Sequence, residues 1–426
     1  MKVATDTGPV VRRATGADVD DAGALTAEAY VADGLLRDED DYTAELRDAR
    51  RRVREAVLLV AVVPRGGVER GGAPDGDVVV GTVTLAPYGT SYAEVAEPGE
   101  LEVRMLAVAA EARGRGVAEA LMAAALRHAV AEGARRVVLS TIEAMRAARR
   151  LYERLGFVPA PARDWAHEHV HVQVLTWTPP DAPGALVEAA TWPPLRTVVT
   201  SDGWRVGLSG GLTRRANSAL PLTRPADVGA AVDEVERLYA EAGQASVVRV
   251  GPTTGGAAVE QALLARGYVV ASGADVLVRD LDAPWPVDPR AAADIRVAAH
   301  PDDAWLGAWL GVKSAGADVP TARAILEGSS AVYLTALDHG RPVGAVRAAF
   351  AEDWVGLSCL VVAPEARRRG LARTLTLRAV DVARAHGARR AFLQVEPHNT
   401  AAARLYGRLG FAPADRYAYL ERALDA

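Results

Sequence analysis

Two arginine- and glycine-bearing turns carry the most visible chemistry in this chain: Arg113-Gly114-Arg115-Gly116-Val117-Ala118 and Arg367-Arg368-Arg369-Gly370-Leu371-Ala372. Each follows a short apolar run, through Leu106 and Val108 in the first copy and Leu360 and Val362 in the second. Each leads into a long alanine- and leucine-rich helical pattern. A strand, a tight turn and a helix start, in that order, aim the unpaired amides of the first helical turn at whatever fills the turn, and the helix dipole favours negative charge there. That chemistry is anion binding, with a phosphate-bearing cofactor as its natural ligand. No Gly-Lys-Ser/Thr follows either turn, which excludes a P-loop, and the full glycine spacing and ribose acid of a dinucleotide fingerprint are missing. The strand before the first turn also holds Glu100, Glu102 and Arg104, which share one face by the strand period of two. Polar residues on a strand entering an anion turn imply a cleft; a solvated edge with an i,i+2 ion pair is the alternative. The second copy has Trp354, Gly356 and Ser358 there, with Glu352 or Asp353 as the nearest carboxylates.

The elements around the turns follow from periodicity. A strand at 10–14 precedes a helix ending near 31 and a second helix over 40–55. Strands at 57–63 and 78–85 pair as a hairpin across a glycine-rich loop at 64–77. The strand at 100–108 enters the turn, a helix runs over 116–132, a strand over 136–141, a helix over 145–155, and a histidine-bearing strand over 168–177. This order implies an α/β fold with a mixed sheet and helices on its faces. The last third repeats the plan from 294. Arg113 and Arg367, Tyr152 and Tyr406, and Phe157 and Phe411 all differ by 254 residues, which marks a duplication. Between the copies lies a lobe with a helix at 228–242, a strand at 246–250, a helix at 257–265 and a strand running to 281. It lacks the arginine-glycine turn, and Leu263 stands where the copies carry tyrosine. Proline-rich boundaries at Pro179–Pro183 and at Pro284, Pro286 and Pro289 define domains at 1–180, 190–286 and 290–426.

A chain of 426 residues is too long for one ordinary core, and its net charge of −5 lacks the basic footprint of a nucleic-acid binder. The one cysteine, Cys359, excludes an internal disulfide and reads as a small core residue. No apolar run reaches the roughly 20 residues of a membrane span, and the start has no signal-peptide core, so a soluble cytoplasmic protein is expected.

The two turns and the downstream runs Ala148–Phe157 and Asn399–Phe411 resemble the paired motifs of the GCN5-related N-acetyltransferase (GNAT) family. The resemblance covers about 10–178 and 290–425, and the middle lobe is similar in outline only. A worn lobe before a complete one is similar to the arrangement in mycothiol synthases. The resemblance implies tandem GNAT acyl-CoA N-acyltransferase folds with a degenerate middle lobe. It further implies acetyl-CoA or another acyl-CoA, with its pyrophosphate on the amides of Gly114, Gly116 and Ala118 and of Gly370 and Ala372. The flanking residues of each turn, from Leu106 and from Leu360, complete the expected cofactor sites.

The family's sequential transfer to a primary amine would use a strand carboxylate, Glu100 or Glu102, as base. Tyr152 and Tyr406 would be the acids that protonate the leaving sulfur. Asn399 matches a cofactor-contacting asparagine, and Met145 replaces it in the first copy. The implied activity is N-acetyl transfer to a small-molecule or peptide amine; the alternative is a CoA-binding sensor with one or both copies inactive. His167, His169 and His171 alternate along one strand but read as a solvated face, so no metal is expected. The acidic run Asp38–Asp41 could attract a cationic amine but reads as a solvated helix start. Trp204 and Asn217 stand out in the middle lobe with no chemistry attached, and the oligomeric state is left open.

Overall fold

Aliphatic, β-branched runs separated by turn residues become strands along the whole chain, because such side chains pack well on a pleated surface. The computed structural model describes residues 9–36, 41–64, 77–167, 170–252, 254–285, 294–313 and 318–424. Asp38 to Asp40, most of the loop expected at 64–77, His169, Pro286 and Pro289 lie outside the described residues. The chain divides into two units, Met1–Pro179 and Pro180–Ala426. Among the described residues no helix is long and apolar enough to cross a membrane.

The first unit runs β1 (Val10–Arg13), α1 (Val19–Ala32), α2 (Asp41–Arg47), α3 (Ala49–Glu55), β2 (Val57–Pro64), β3 (Asp77–Pro87) and β4 (Glu100–Val108). It continues with α4 (Val117–Ala131), β5 (Arg136–Ile142), α5 (Arg146–Arg154), β6 (Val158–Pro159), β7 (Trp165–His167) and β8 (Val170–Trp177). The sheet order is β1-β2-β3-β4-β5-β8-β6, with β7 beside β8. β4 and β5 pair in parallel, while β8 closes on β5 antiparallel. Neighbouring strand residues point to opposite faces, and two of them sort the helices. A Cβ at Gly81 would lie 2.8 Å from Val117 of α4, whereas Thr82 hydrogen-bonds Thr26 of α1 at 2.9 Å. Gly81 thus lets the start of α4 press onto one face while α1 covers the other. The single helix expected over 40–55 breaks in two at Asp48, whose carboxylate accepts the Arg51 N–H at 2.9 Å and caps α3.

The second unit opens with α6 (Gly184–Thr191), β9 (Arg196–Val199), β10 (Arg205–Leu208), β11 (Ala219–Leu220), α7 (Val228–Glu241), β12 (Ser246–Val250), α8 (Gly256–Ala265) and β13 (Val269–Asp280). Then come β14 (Asp294–Ala298), α9 (Asp303–Lys313), α10 (Val319–Glu327), β15 (Ala331–Asp338), β16 (Arg341–Ala351) and β17 (Trp354–Val362). It ends with α11 (Leu371–Ala385), β18 (Arg390–Val395), α12 (Thr400–Arg408) and β19 (Ala412–Arg422). Its eleven strands form one sheet, ordered β14-β15-β16-β17-β18-β13-β19-β12-β11-β10-β9.

That order contains an exchange. By analogy with β8 on β5, the last strand of the C-terminal copy, β19, should close on β18. Instead β13 of the middle lobe pairs with β18, and β19 crosses to pair with β12. The two strands also pair with each other along nine residues. The cores follow the exchange: Leu277 of β13 packs among Val355, Leu393 and Phe411, while Leu420 of β19 packs with Trp204, Val248 and Tyr268. Trp204 is therefore a core residue of the middle lobe, with its indole N–H donating to Thr223 O at 3.1 Å. The helix α6, unforeseen in the sequence, is fastened by a buried Glu188–Arg249 ion pair of 2.6 Å and by a hydrogen bond from Gln394 to Glu188.

Because each lobe's closing strand belongs to the other, residues 190–286 and 290–426 should unfold together. Leu277→Ala should cost about 2–4 kcal/mol and move a single calorimetric transition of the 180–426 unit. Two transitions, only one of them displaced, would contradict the exchange.

Candidate functional site

In both copies the strand before the turn is broken by one residue. Against β3, the register of β4 jumps between Thr82 and Thr84, and Met105 takes φ 54°. Against β16, the register of β17 jumps between Ala345 and Arg347, and Cys359 takes φ 58°. Each is a β-bulge, which bends its strand and disrupts the ladder. The parallel pairing to the next strand stops just before it, at Val103–Leu139 and at Leu357–Leu393. Beyond that point β4 and β17 run on without the neighbour, so a wedge opens toward each turn. Cys359 is accordingly not a core residue of a regular strand; it is half-buried at the bulge and lines a cavity.

The turns themselves match closely. Gly116 and Gly370 cap α4 and α11 with φ 77° and 81°, and neither helix has a side-chain cap. The left-handed residue two places earlier is Gly114 (φ 72°) in one copy and Arg368 (φ 59°) in the other. A Cβ at Gly114 or Gly116 would meet nothing within 4 Å, so the backbone conformation, and not crowding, selects glycine there. The amides of Val117 and Ala118, and of Leu371 and Ala372, stand in the first turn of helices that lack side-chain caps. Arg113 Nε donates to Val108 O at 3.3 Å and Arg367 Nε to Val362 O at 3.2 Å, tying each turn to the end of its strand. Arg113 also pairs with Asp33 and Arg369 with Asp338, both at 2.6 Å, while Arg115 and Arg368 are exposed. Of the residues expected to hold the cofactor, then, three arginines are engaged with the protein, while the first-turn amides of α4 and α11 have no side-chain cap.

In the first unit the strand carboxylates are enclosed, since β4 lies between β3 and β5 and is no solvated edge. Glu100 meets Arg163 at 2.8 Å and Arg136 at 3.1 Å and accepts the Glu97 N–H. Burial opposes its charge, but these partners together outweigh that and hold its carboxyl below the usual range. Glu102 is fully buried; its Oε2 accepts the N–H groups of Glu94, Val95 and Ala96 at 2.7, 2.8 and 3.1 Å. Its Oε1 has no hydrogen bond and lies 3.9 Å from Arg104 Nε. Burial raises its pKa, against the pull of those amides and of Arg104. Arg104 turns outward from the strand to Glu94 at 2.7 Å, Tyr92 O and Tyr42 OH. Tyr152 is buried with its ring 5.7 Å from Phe157, and burial pushes its phenol far above the usual value.

In the second unit the corresponding face is different. A Cβ at Gly356, the counterpart of Glu102, would sit 2.7 Å from the Phe392 ring and 3.0 Å from Thr191 of α6, so no carboxylate fits. Asp353 is spent on a two-pronged pair with Arg390 (2.6 and 2.9 Å) at the far end of β17, and Glu352 is an exposed turn residue. Near the bulge, however, lies a cavity of about 710 Å³. Ser358 to Leu360 of β17, Gln394 of β18, Tyr406 of α12 and Asn399 at the N-cap of that helix line it, as do Trp192, Arg215, Asn217, Tyr417 and Glu421. The middle lobe therefore supplies much of the wall. Asn217 shapes that contribution, accepting the Ser209 and Gly211 N–H groups at 2.8 and 3.3 Å. Asn399 uses its carbonyl to cap α12 through the Ala402 N–H at 3.1 Å, a contact Met145 cannot make for α5. Tyr406 is buried against Phe411 at 5.7 Å and its phenol, too, is pushed far up by burial.

His167 and His171 fall on two strands of a hairpin, β7 and β8, and not along one strand. Among the described residues no three potential metal ligands gather. The bulges and the role of the middle lobe in the cavity were missed in the sequence. Gly81 and Gly344, each packed under the helix that follows the turn, were an available sign that the helix starts sit close to the sheet.

Residues 36–157 match the family model described as the acetyltransferase (GNAT) family. Residues 186–420, more than half of the chain, match one described as "Probable histone acetyltransferase Rv0428c C-terminal". Among curated proteins, the chain is 42% identical over 68 residues to the uncharacterized N-acetyltransferase YobR of Bacillus subtilis, a stretch spanning 16% of this chain and 28% of that protein. Among solved structures it is similar to a GCN5-related N-acetyltransferase from Kribbella flavida (19% identity, 57% of this chain and 98% of that one, TM-score 0.45). It is also similar to a tandem GNAT protein from the clavulanic acid biosynthesis pathway (14% identity, 98% of this chain and 100% of that one, TM-score 0.33). With one family model covering more than half of the chain and the GNAT model covering residues 36–157, the chain belongs to the GNAT acetyltransferase family.

Proposed function

We propose that this protein transfers an acetyl group, or another acyl group, from acyl-CoA to a primary amine of a small molecule or peptide, in the cytoplasm, and that transfer takes place in the second unit. The domains at 1–180, 190–286 and 290–426 are read as two complete copies flanking a degenerate one. The observation that carries the reading is the meeting of the Ser358–Leu360 bulge, Asn399 and Tyr406 on one cavity, where β17 and β18 part.

The pyrophosphate of the cofactor would sit on the amides of the first turn of α11, which has no side-chain cap. Its extended arm would lie along the part of β17 that has lost its neighbour, pairing as an added strand. The amine nitrogen then attacks the thioester carbonyl, a C–N bond forms, and the C–S bond breaks. Tyr406, a phenol that is protonated at neutral pH, would give its proton to the departing sulfur. The amine's proton would pass to water in the cavity or to Glu421, since β17 carries no carboxylate in its place.

The first unit offers the same anion turn, but we propose that it binds acyl-CoA without turnover, the sensor role. Glu100 and Glu102, expected as bases, are read here as positioning residues: one is held by two arginines, the other by three backbone amides, and both are buried.

Steady-state thiol release from acetyl-CoA across an amine panel tests the division. Tyr406→Phe should lower kcat by roughly 10²-fold with little change in the KM for the cofactor, whereas Tyr152→Phe should leave kcat within about twofold. The reverse pattern would move catalysis to the first unit. Glu100 has a separate signature in stability. With its folded-state pKa lowered, its contribution is complete above the ordinary carboxylate range and is lost as the pH falls through the lowered value. Glu100→Gln should therefore flatten the acid limb of the Tm-against-pH curve of the first unit; an unaltered limb would show that its arginine pairs contribute nothing.

A further inference from the structure

The cavity of the second unit holds a cation that nothing in the proposed transfer uses. Arg214 and Arg215 are neighbours on the loop that the middle lobe contributes, yet they are in different states. Arg214 pairs with Glu421 at 2.8 Å. Arg215 makes no ion pair among the described residues; its guanidinium lies over the Trp192 ring, 4.9 Å from the centroid. Trp192 is itself fixed, its N–H donating to Thr213 at 3.1 Å and its ring edge-on to Trp309 at 6.2 Å. A half-buried guanidinium stacked on an immobilised indole is held in place with its donors still available. Its charge reaches the phenols of Tyr417 and Tyr419, two further residues of the same cavity.

Two more features mark this wall as built to receive a polar ligand. The loop before the arginines begins with Gly210 and Gly211, both with positive φ (64° and 75°), and is pinned from behind by Asn217. Across the cavity, the Ser358 hydroxyl is buried without a hydrogen-bond partner, immediately before the bulge. A buried polar atom left unsatisfied beside a bulge requires an explanation, and a ligand group in the cavity supplies one. Of the other charged groups close by, Glu188 pairs with Arg249 at 2.6 Å, Arg347, over the same indole at 5.4 Å, donates to Thr191 O and Leu326 O at 2.8 Å, and Glu396, just past the end of β18, lies 3.3 Å from His398.

We propose that the acceptor is an amine that also bears an anionic group, carboxylate or phosphate, and that Arg215 binds this group while the amine reaches the bulge beside Tyr406. The inference rests on the second unit being the transferring one. It makes the middle lobe, which has lost its own turn, the specificity wall of the C-terminal copy.

The test uses the full chain with acetyl-CoA and matched amines: β-alanine against β-alaninamide, and phosphoethanolamine against ethanolamine. At least one anionic member should have a kcat/KM about tenfold or more above its neutral partner, as expected for a charge-assisted pair in a partly desolvated site. Which pair shows the preference identifies the anion. Arg215→Gln should bring that ratio toward one chiefly through KM for the amine, and Arg215→Lys should retain part of it. Equal ratios, a preference for the neutral partners, or a preference untouched by Arg215→Gln would overturn the proposal. If no amine is acetylated, the quenching of tryptophan fluorescence by the same compounds decides. Saturable quenching by an anionic member that Arg215→Gln removes would uphold the anion site while refuting turnover, and its absence would overturn the site as well.

Discussion

One backbone irregularity governs both copies. At Met105 and at Cys359 the strand takes a left-handed step that neither residue type favours, and the parallel ladder beside it ends. A non-glycine residue there costs about 1–3 kcal/mol, which the surrounding sheet must offset. The consequence is a wedge between two strands that would otherwise be zipped, with the uncapped start of a helix beyond it. Without the bulge the anion turn would face a closed sheet. With it, an extended ligand has both an unpaired strand edge and a ring of free amides.

The two copies then diverge through what surrounds the wedge. In the first unit Glu102 is caged by the amides of residues 94–96, and Arg104 fills the position just before the bulge. In the second, α6 and Phe392 occupy the space a carboxylate would need, Ser358 replaces Arg104, and the cavity is completed by the middle lobe. Exchange of the closing strands is what makes this possible. By sending β13 into the C-terminal sheet and receiving β19, the middle lobe becomes inseparable from the copy it walls. The middle lobe, which has no arginine-glycine turn, thus contributes β13 and Leu277 to the core of the C-terminal copy.

The elements with clean periodicity were legible in the sequence. The strand Glu100–Val108 and the helix Val117–Ala131 appear where the pattern puts them, as does the repeat, whose left-handed turn residues recur at the same spacing from Gly116 to Gly370. The bulges were not legible, because Met105 and Cys359 are ordinary apolar residues whose conformation is imposed by the sheet. Nor was the exchange: β13 and β19 both read as strands, but which strand each would pair with depends on where Leu277 and Leu420 are buried, a long-range choice with no local mark. The charged residues of the site divide in the same way. The arginines of the turns were visible as a motif, whereas the state of Arg215, stacked on Trp192 with no ion pair among the described residues while Arg214 pairs with Glu421, depends on contacts distant in the sequence.

Each bulge-opened turn is proposed to hold the anionic end of CoA. Calorimetric titration of the full chain with CoA tests it most directly, alongside Gly116→Val and Gly370→Val, which put a β-branched residue where the backbone is left-handed. Two sites per chain are expected, with each substitution removing one and leaving the other. Binding that keeps its stoichiometry and affinity in both variants would place the cofactor elsewhere and contradict it.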